Sequence, residues 1–583
     1  MGSTTAAKPR TRGSIPGSVP IATSQSRLDD IVARLRDGAR TFAQLSLDQR
    51  VELARSMQAG YLRIARASVE AACAAKGIPL GTPLEGEEWS LGPWFVVRHL
   101  RLIRQSLLSL KHTGNTPIGQ VGHTADQRLA VQVFPAGSID GTLFMGVRVD
   151  VHLQSGVTAE EMSSSRARFY KSPDHEGRVV LVLGGGNINA IPSMDLLTKM
   201  FNEGKVCILK MNPVNAYLGP YIEEAFADAI RQNFLAVVYG EAGEGAYLAN
   251  HPAVDEVHLT GSDRTFDQIA WGPPGPEREA RKAQRRPLLQ KPFTAELGNV
   301  SPVIVLPGPY SEKELAYQAE DLAAGLTCNA AFNCNANKVV ILPKGWQQRD
   351  AFLAGLERAL SKAAARRAYY PGARDRWVSY SKDRPSARRF GAETGDVLPW
   401  TLVRNLDPDD REERAFASES FCSVAFETQV GSADPVEFLD RAVSFANERL
   451  WGTLSAGLVV HPKMMKDPTL GGAVERAITD LRYGVVGVNA WSGYVFAFVT
   501  PPWGAHPGSS LADIQSGQGW VHNTSMLEGV EKAVLRHPIT AMPKPAYFPS
   551  HRSAHVLMRR MTALEENASW TRVPGVMAAA MKA

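Results

Sequence analysis

Apolar residues recur at helical spacing from Leu28 to about Leu110. Leu28, Ile31, Val32 and Leu35 fall on one face, as do Leu45, Val51, Leu53 and Met57 in the next segment. The pattern predicts a helical layer over 28–128. It then turns to alternation, with Val131 and Val133 followed by Val147, Val149 and Val151, and with Gly137 and Gly141 between the two runs. A period of two predicts an extended hairpin or arm over 129–175. Farther on, short wholly apolar runs at 179–183, 206–209, 237–238 and 257–259 are separated by helix-length segments such as 192–201 and 221–230. This is βαβ rhythm, and continuous apolar strands imply a parallel sheet covered on both faces. A second set follows at 303–306, 312–326, 339–342 and 349–360, and continues to 485–488.

The predicted fold class is therefore α/β, with two doubly wound domains and a small β oligomerisation arm. The boundaries expected are a disordered tail at 1–27, the helical part at 28–128, the arm at 129–175, a first α/β domain at 176–298, a second at 299–534 and a C-terminal oligomerisation or tail segment at 535–583. The tail is rich in Ser, Thr, Pro, Gly and Arg and has no apolar core of a leader. The stretch 272–286, with Pro273, Pro274 and Pro276, reads as a surface insertion. An exposed β edge needs a partner, so the arm and C-terminal segment are expected to pair with another subunit in a homodimer or homotetramer.

Composition narrows the function. The 583 residues are 44% hydrophobic and 21% charged, enough for extensive cores, and the net charge of +5 is spread thinly. No nucleic-acid partner is implied. Without a long uninterrupted apolar run, no membrane span is expected, and the default location is cytoplasmic. Cys73, Cys207, Cys328, Cys334 and Cys422 form no CxxC pair, which suits a reducing compartment and suggests neither a disulfide scaffold nor a metal site.

One stretch carries a resemblance. Thr294-Ala-Glu-Leu-Gly-Asn-Val-Ser-Pro302 resembles the Glu-Leu-Gly-Gly-Lys-Ser-Pro signature of aldehyde dehydrogenases. In the same order as in that family, Gly184-Gly-Gly-Asn-Ile-Asn189 resembles its Pro-Trp-Asn-Phe-Pro, and Lys210-Met-Asn-Pro213 its Lys-Pro-Ser-Glu. His258-Leu-Thr-Gly-Ser262 is similar to its Phe-Thr-Gly-Ser. Glu419-Ser-Phe421 looks like its Glu-x-Phe-Gly-Pro, and Trp451-Gly-Thr-Leu-Ser455 like its Tyr-Gly-Leu-Ala. The resemblance covers about residues 130–510. It implies oxidation of an aldehyde to a carboxylic acid, with NAD or NADP, through a thioester on a cysteine.

A thiol suits this chemistry because sulfur adds readily to a carbonyl and the adduct gives up hydride to leave a thioester. Cys328 and Cys334 both compete, lying 32 and 38 residues after Glu296, and the family's spacing falls between the two. Aligning the helix at 312–326 places an insertion of four residues near 307–311 and brings Cys334 under the family's cysteine. Cys334-Asn-Ala-Asn-Lys338 then leads into a strand, as the family's Cys-x-Ala-x-x-Arg does. Glu296 is the candidate base that activates water against the thioester. Asn187, 23 residues before Lys210, is the candidate oxyanion donor beside the Cys334 backbone N–H, with Asn189 as the alternative. For the cofactor, Gly240, Gly243 and Gly245 form a Gly-rich loop between strand and helix, and Thr260, Gly261 and Ser262 close the next strand. The resemblance adds Lys210 and Glu419 for the two riboses, Phe421 beside the nicotinamide, and Leu297.

Several positions depart from the family's pattern. Pro213 stands where many members have the Glu that repels a 2′-phosphate, so NADP is admissible. Leu196 stands where hydrolytic members commonly have a second lysine, with Lys199 three residues on. Two other readings remain: an enzyme that passes the acyl group to coenzyme A, and a catalytically silent dinucleotide-binding paralogue. Members that acylate coenzyme A generally lack the glutamate, so Glu296 argues against the first. Trp491, Tyr494, Phe496 and Phe498 are candidates for an apolar entrance, or for ordinary core.

Overall fold

The computed structural model describes residues 20–172 and 175–582. Helix starts at Gln25, so residues 25–27 of the expected tail belong to Gln25–Ala43, whereas residues 1–19 lie outside the described part. Leu28, Ile31, Val32 and Leu35 are buried, as their spacing requires. The long helix Leu47–Lys76 begins with a reciprocal Ser46/Gln49 cap and ends at Gly77, in the left-handed region with φ of 67°. Gly60 lets this helix touch backbone, since a Cβ there would lie 1.9 Å from the Ala225 carbonyl oxygen. A third long helix, Phe95–Thr113, completes the layer.

The first α/β sheet has six strands in the order Gly517–Gln518, Phe293–Glu296, Glu256–Thr260, Val179–Leu183, Val206–Lys210 and Leu235–Val238. All neighbours run parallel except Gly517–Gln518, which returns from late in the chain to pair antiparallel with Ala295 and Glu296. Every residue of Val179–Leu183 and Val206–Lys210 is buried, which accounts for the unbroken apolar runs at 179–183 and 206–209. The helix expected at 221–230 is two pieces, Gly219–Ala225 and Ala227–Arg231. The break falls at Phe226, whose ring is buried against Tyr61 with centroids 5.7 Å apart. The stretch 272–286 contains the helix Pro276–Gln284, tied down where Arg278 Nε donates to the Gly272 carbonyl at 2.7 Å and Lys282 pairs with Asp267 at 2.7 Å.

The second sheet has eleven strands. Seven parallel strands make its centre, in the order Val530–Arg536, Val485–Val488, Ser455–Val459, Ser301–Val305, Asn337–Pro343, Val424–Val430 and Trp400–Leu406. Ala387–Phe390 closes one edge. At the other, Arg148–Leu153, Leu129–Phe134 and Val121–His123 add antiparallel strands. The arm thus extends a sheet of its own chain. Its strand Arg148–Leu153 pairs with Val530–Arg536, leaving as open edge only Val121–His123, three residues long. Much of the pairing of the arm is therefore met within the chain, and Val121–His123 keeps a free edge among the described residues.

After Val530–Arg536 the chain does not trail away. Helices Ala554–Leu564 and Val573–Ala580 are joined where Ser553 Oγ donates to the Ala579 carbonyl at 2.8 Å, and they pack against the helical layer. Glu565 is the fastener. Its carboxylate accepts from Arg98 at 2.8 Å and Arg101 at 2.6 Å, and its carbonyl from Gln58 at 2.8 Å, while Arg98 also pairs with Asp140 at 2.7 Å. Arg98 is wholly buried. Among the described residues no helix is long and apolar enough to cross a membrane.

Removing one partner of a buried ion pair leaves an uncompensated charge, at a cost of about 3 kcal/mol or more. Glu565→Ala is expected to lower the melting temperature and to make residues 554–582 the first target of limited proteolysis. Glu565→Gln, which retains an acceptor for Arg98, should lose less.

Candidate active site

Glu296 ends the strand Phe293–Glu296, and Gly517 beside it has φ of 119° with room for no side chain, since a Cβ would lie 1.9 Å from the Ala295 carbonyl oxygen. Cys334 arrives from the other sheet. It lies between the helix Glu312–Thr327, capped reciprocally by Ser311 and Glu314, and the strand Asn337–Pro343. The intervening turn is strained: Asn329, Ala330 and Ala331 all have left-handed backbone, with φ of 53°, 56° and 69°. Such a conformation costs roughly 1–2 kcal/mol per non-glycine residue and persists only where surroundings enforce it.

Asn329 supplies the enforcement. Its side-chain N–H groups donate to the carbonyl of Asn187 at 2.8 Å and to Asn333 Oδ1 at 3.1 Å. Its Oδ1 accepts from Lys76 Nζ at 3.0 Å and Tyr369 Oη at 2.9 Å. Lys76 is paired in turn with Glu88 at 3.0 Å, all of it buried. The N-terminal helical layer thereby holds the Cys334 loop against the Asn187 loop.

The two chemical groups meet directly. Cys334 Sγ donates to Glu296 Oε1 at 3.0 Å, with both residues buried. Burial, with help from the charge of Asp195, pushes the Glu296 carboxyl up to about 7 against the opposing hydrogen bond from Cys334. Burial first, then the Glu296 charge and hydrogen bond, hold the Cys334 thiol well above its ordinary value. At rest the thiol keeps its proton, aimed at a carboxylate poised near neutrality, as a general base should be. Cys328 has no such partner among the described residues. It is buried six residues earlier at the end of the helix, where burial pushes its thiol up.

Asn187 Nδ2 donates to the carbonyl of Phe332 at 2.8 Å, so one of its two amide N–H groups serves the Cys334 loop. Asn189, the alternative, is turned away, its Nδ2 donating to Glu88 at 2.7 Å. Lys199 is committed beneath the sheet to Glu256 at 2.7 Å and Thr294 at 3.2 Å.

A polar cleft of about 790 Å³ lies over the C-terminal ends of the six-stranded sheet and reaches Cys334. Of the residues expected at a cofactor, Lys210, Gly245, Thr260, Gly261, Ser262, Glu419 and Phe421 line it, together with Asn187 and Glu296. Gly240, Gly243 and Leu297 do not. Gly240 turns the chain with φ of 143°, a Cβ on Gly243 would face open space, and Leu297 is buried with its N–H on the Ser516 carbonyl at 2.9 Å. Lys210 is only 7% exposed, yet its ammonium has no ion pair or hydrogen bond among the described residues, and burial lowers its pKa. Glu419 Oε1 is likewise buried without a partner, and burial pushes that carboxyl up to about 8. An unpaired ammonium and a carboxyl oxygen without a partner, facing one cleft, are what a ligand with separated polar groups would satisfy. Gly298 is explained here as well, since a Cβ would lie 1.9 Å from Glu419 Oε2.

Sequence reasoning missed Asp195, which accepts from Thr260 at 2.7 Å and acts on Glu296. It also missed Arg376 and Tyr370 around Phe421: Arg376 Nε donates to the Phe421 carbonyl at 3.2 Å, and the Tyr370 and Phe421 rings lie 5.0 Å apart. None sits in a motif, so only proximity reveals them. A second, apolar cavity of about 140 Å³ opens on the opposite side of Cys334. Among the described residues no cluster of three or more His, Cys, Asp or Glu could hold a metal ion.

Residues 187–369, which include Asn187, Glu296 and Cys334, match the model of the aldehyde dehydrogenase family. That segment, about a third of the chain, is similar to the aldehyde dehydrogenase family. Its fold is similar to that of an NADP-dependent glyceraldehyde-3-phosphate dehydrogenase from Bacillus halodurans complexed with NADP, at 18% identity and a TM-score of 0.59, covering 88% of this chain and 92% of that one. It is similar also to an NAD-dependent aldehyde dehydrogenase from Sinorhizobium meliloti, at 18% identity and a TM-score of 0.57, with 90% and 89% covered. A mutant aldehyde dehydrogenase C from Pseudomonas syringae, complexed with NAD+ and octanal, matches at 15% identity and a TM-score of 0.58, with 89% and 90% covered. No curated protein matches the chain by sequence.

Glu296 must lose its proton to act as a base, so the step it serves should fall away as pH drops below about 7 and level off above, and Glu296→Gln should abolish that ionisation. The raised pKa also means that the folded protein keeps a proton that the unfolded chain has released between about 4.5 and 7. Stability is therefore lost as pH rises through that window. Glu296→Gln is expected to melt higher than wild type at pH 8, by on the order of 3 kcal/mol at most, with the difference vanishing below the ordinary carboxylate range.

Proposed function

We propose that this protein oxidises an aldehyde to a carboxylic acid with NAD or NADP through a thioester on Cys334. The observation that carries the reading is that Cys334, hydrogen-bonded to Glu296, lies where the polar cleft and the apolar cavity meet. A thiol there is open to a cofactor from one side and an aldehyde from the other.

Glu296 takes the thiol proton as sulfur adds to the carbonyl carbon. The alkoxide that forms is met by the backbone N–H of Cys334 and a side-chain N–H of Asn187, each such donor contributing about 3 kcal/mol. A bound NAD or NADP supplies the acceptor for the hydride that leaves the substrate carbon. Lys210, the Thr260–Ser262 turn and Glu419 would hold it, with Phe421 beside the nicotinamide. Pro213 places no carboxylate against a 2′-phosphate. With the thioester in place, Glu296 passes the thiol proton to solvent and then removes a proton from water; the hydroxyl adds to the acyl carbon, the C–S bond breaks to release acid, and the leaving thiolate takes the proton back from Glu296.

Cys334→Ala is expected to abolish oxidation while leaving cofactor affinity, read by fluorescence titration with NADPH and NADH, within about threefold, because the thiol adds little to binding. Cys328→Ala should stay active; the reverse pair of results would move the nucleophile to residue 328. Glu296→Gln should form reduced cofactor in a slowed burst whose amplitude stays near the enzyme concentration, and then stall, as seen by stopped-flow absorbance. If wild-type turnover required coenzyme A, and the Glu296→Gln enzyme then turned over normally, the hydrolytic route would give way to acyl transfer.

A further inference from the structure

The apolar cavity is walled by parts of the chain far apart in sequence. Trp94 and Phe95 come from the N-terminal helical layer, Trp491 and Phe496 from the segment after Val485–Val488, and Met558 and Met561 from the helix Ala554–Leu564. Only two charged side chains reach its lining, and both are already engaged. Glu87 accepts from Arg366 at 2.6 Å and from the Asn329 N–H at 3.1 Å. Lys544 donates to Glu320 at 2.7 Å and to Ser550 at 3.0 Å. A phosphate or carboxylate entering here would shed its water and meet no free cation, which the low-dielectric walls make costly. The volume of about 140 Å³ compares with the apolar cavity of about 150 Å³ known to take up benzene.

Resting on the reading of Cys334 as nucleophile, we propose that the cavity selects uncharged aldehydes whose apolar portion is a single aromatic ring or a chain of about six carbons, and that the C-terminal helix Ala554–Leu564 sets that limit as the cavity's outer wall. The wall is fixed in place by Glu565 on Arg98 and Arg101, one residue beyond the helix. Its lining is methionine, whose unbranched thioether fits rings and chains alike, so the wall limits length more strictly than shape.

Propanal, hexanal, decanal, benzaldehyde, succinic semialdehyde and glyceraldehyde 3-phosphate are compared by kcat/KM. Hexanal and benzaldehyde are expected to exceed the two charged aldehydes by about 100-fold or more, in line with a buried charge left without a partner. Met561→Trp should lower the hexanal-to-propanal ratio about tenfold, and Met561→Ala should move the optimum toward decanal. Misfolding does not shift a chain-length optimum in opposite directions. Preference for a charged aldehyde, or a hexanal-to-propanal ratio unmoved by both substitutions, overturns the proposal. If no aldehyde is oxidised, the catalytic reading has failed and the cavity is judged by calorimetric titration of the Cys334→Ala protein with benzyl alcohol and benzoate. Binding of the alcohol alone, weakened by Met561→Trp, upholds the cavity proposal; binding of benzoate equal to or tighter than that of the alcohol, or no loss on Met561→Trp, overturns it.

Discussion

The hydrogen bond from Cys334 to Glu296, 3.0 Å long and shut away from water, is the contact on which the rest of the structure turns. The thiol hangs from one sheet and the carboxyl ends a strand of the other, so the bond exists only when both α/β units have formed and docked. Its desolvation is also what gives it chemical value. Water around Glu296 would return the carboxyl to its ordinary range, where it is a poor base at neutral pH, and would leave the thiol without a specific proton acceptor. The folded state accepts an unfavourable buried carboxyl here, and that loss of stability accompanies a base poised near pH 7.

Holding such a site requires stiffness from elsewhere, and the N-terminal layer provides it. Lys76 and Glu88, buried and paired, reach Asn329 in the left-handed turn before the nucleophile, and the same asparagine grips the backbone at Asn187. A buried network of this kind stabilises only when every member is satisfied. Its value lies in allowing one arrangement of the loop. The strained turn, the donor loop and the helical layer therefore form a single mechanical unit, although they belong to three separate stretches of chain.

The C-terminal segment shows a related economy. Having contributed Val530–Arg536 to the middle of the larger sheet, the chain returns to the helical layer and covers the apolar side of the nucleophile. The ion pairs of Glu565 fasten that cover, so the integrity of the fold and the shape of the cavity depend on the same buried arginine, Arg98.

Much of the fold and the core of the site were legible in the residues themselves. Strands covered on both faces are mostly apolar, so the runs at 179–183 and 206–209 announced a parallel sheet. Glu296 and Cys334 stood in ordered motifs, and Gly298 was demanded by a neighbour that no local rule names, Glu419. What tertiary structure alone decided was which distant segments meet. Backbone pairing carries little side-chain signature, so nothing at Gly517–Gln518 marked it for the smaller sheet, and nothing at Arg148–Leu153 marked its partner as the chain's own Val530–Arg536. The choice between Asn187 and Asn189 likewise rested on Glu88, about a hundred residues away, which turns one of them aside. The methionines of the last helices read as ordinary core until the fold laid them across a cavity, because a side chain's role there depends on what space it faces, and that is a property of the packed chain.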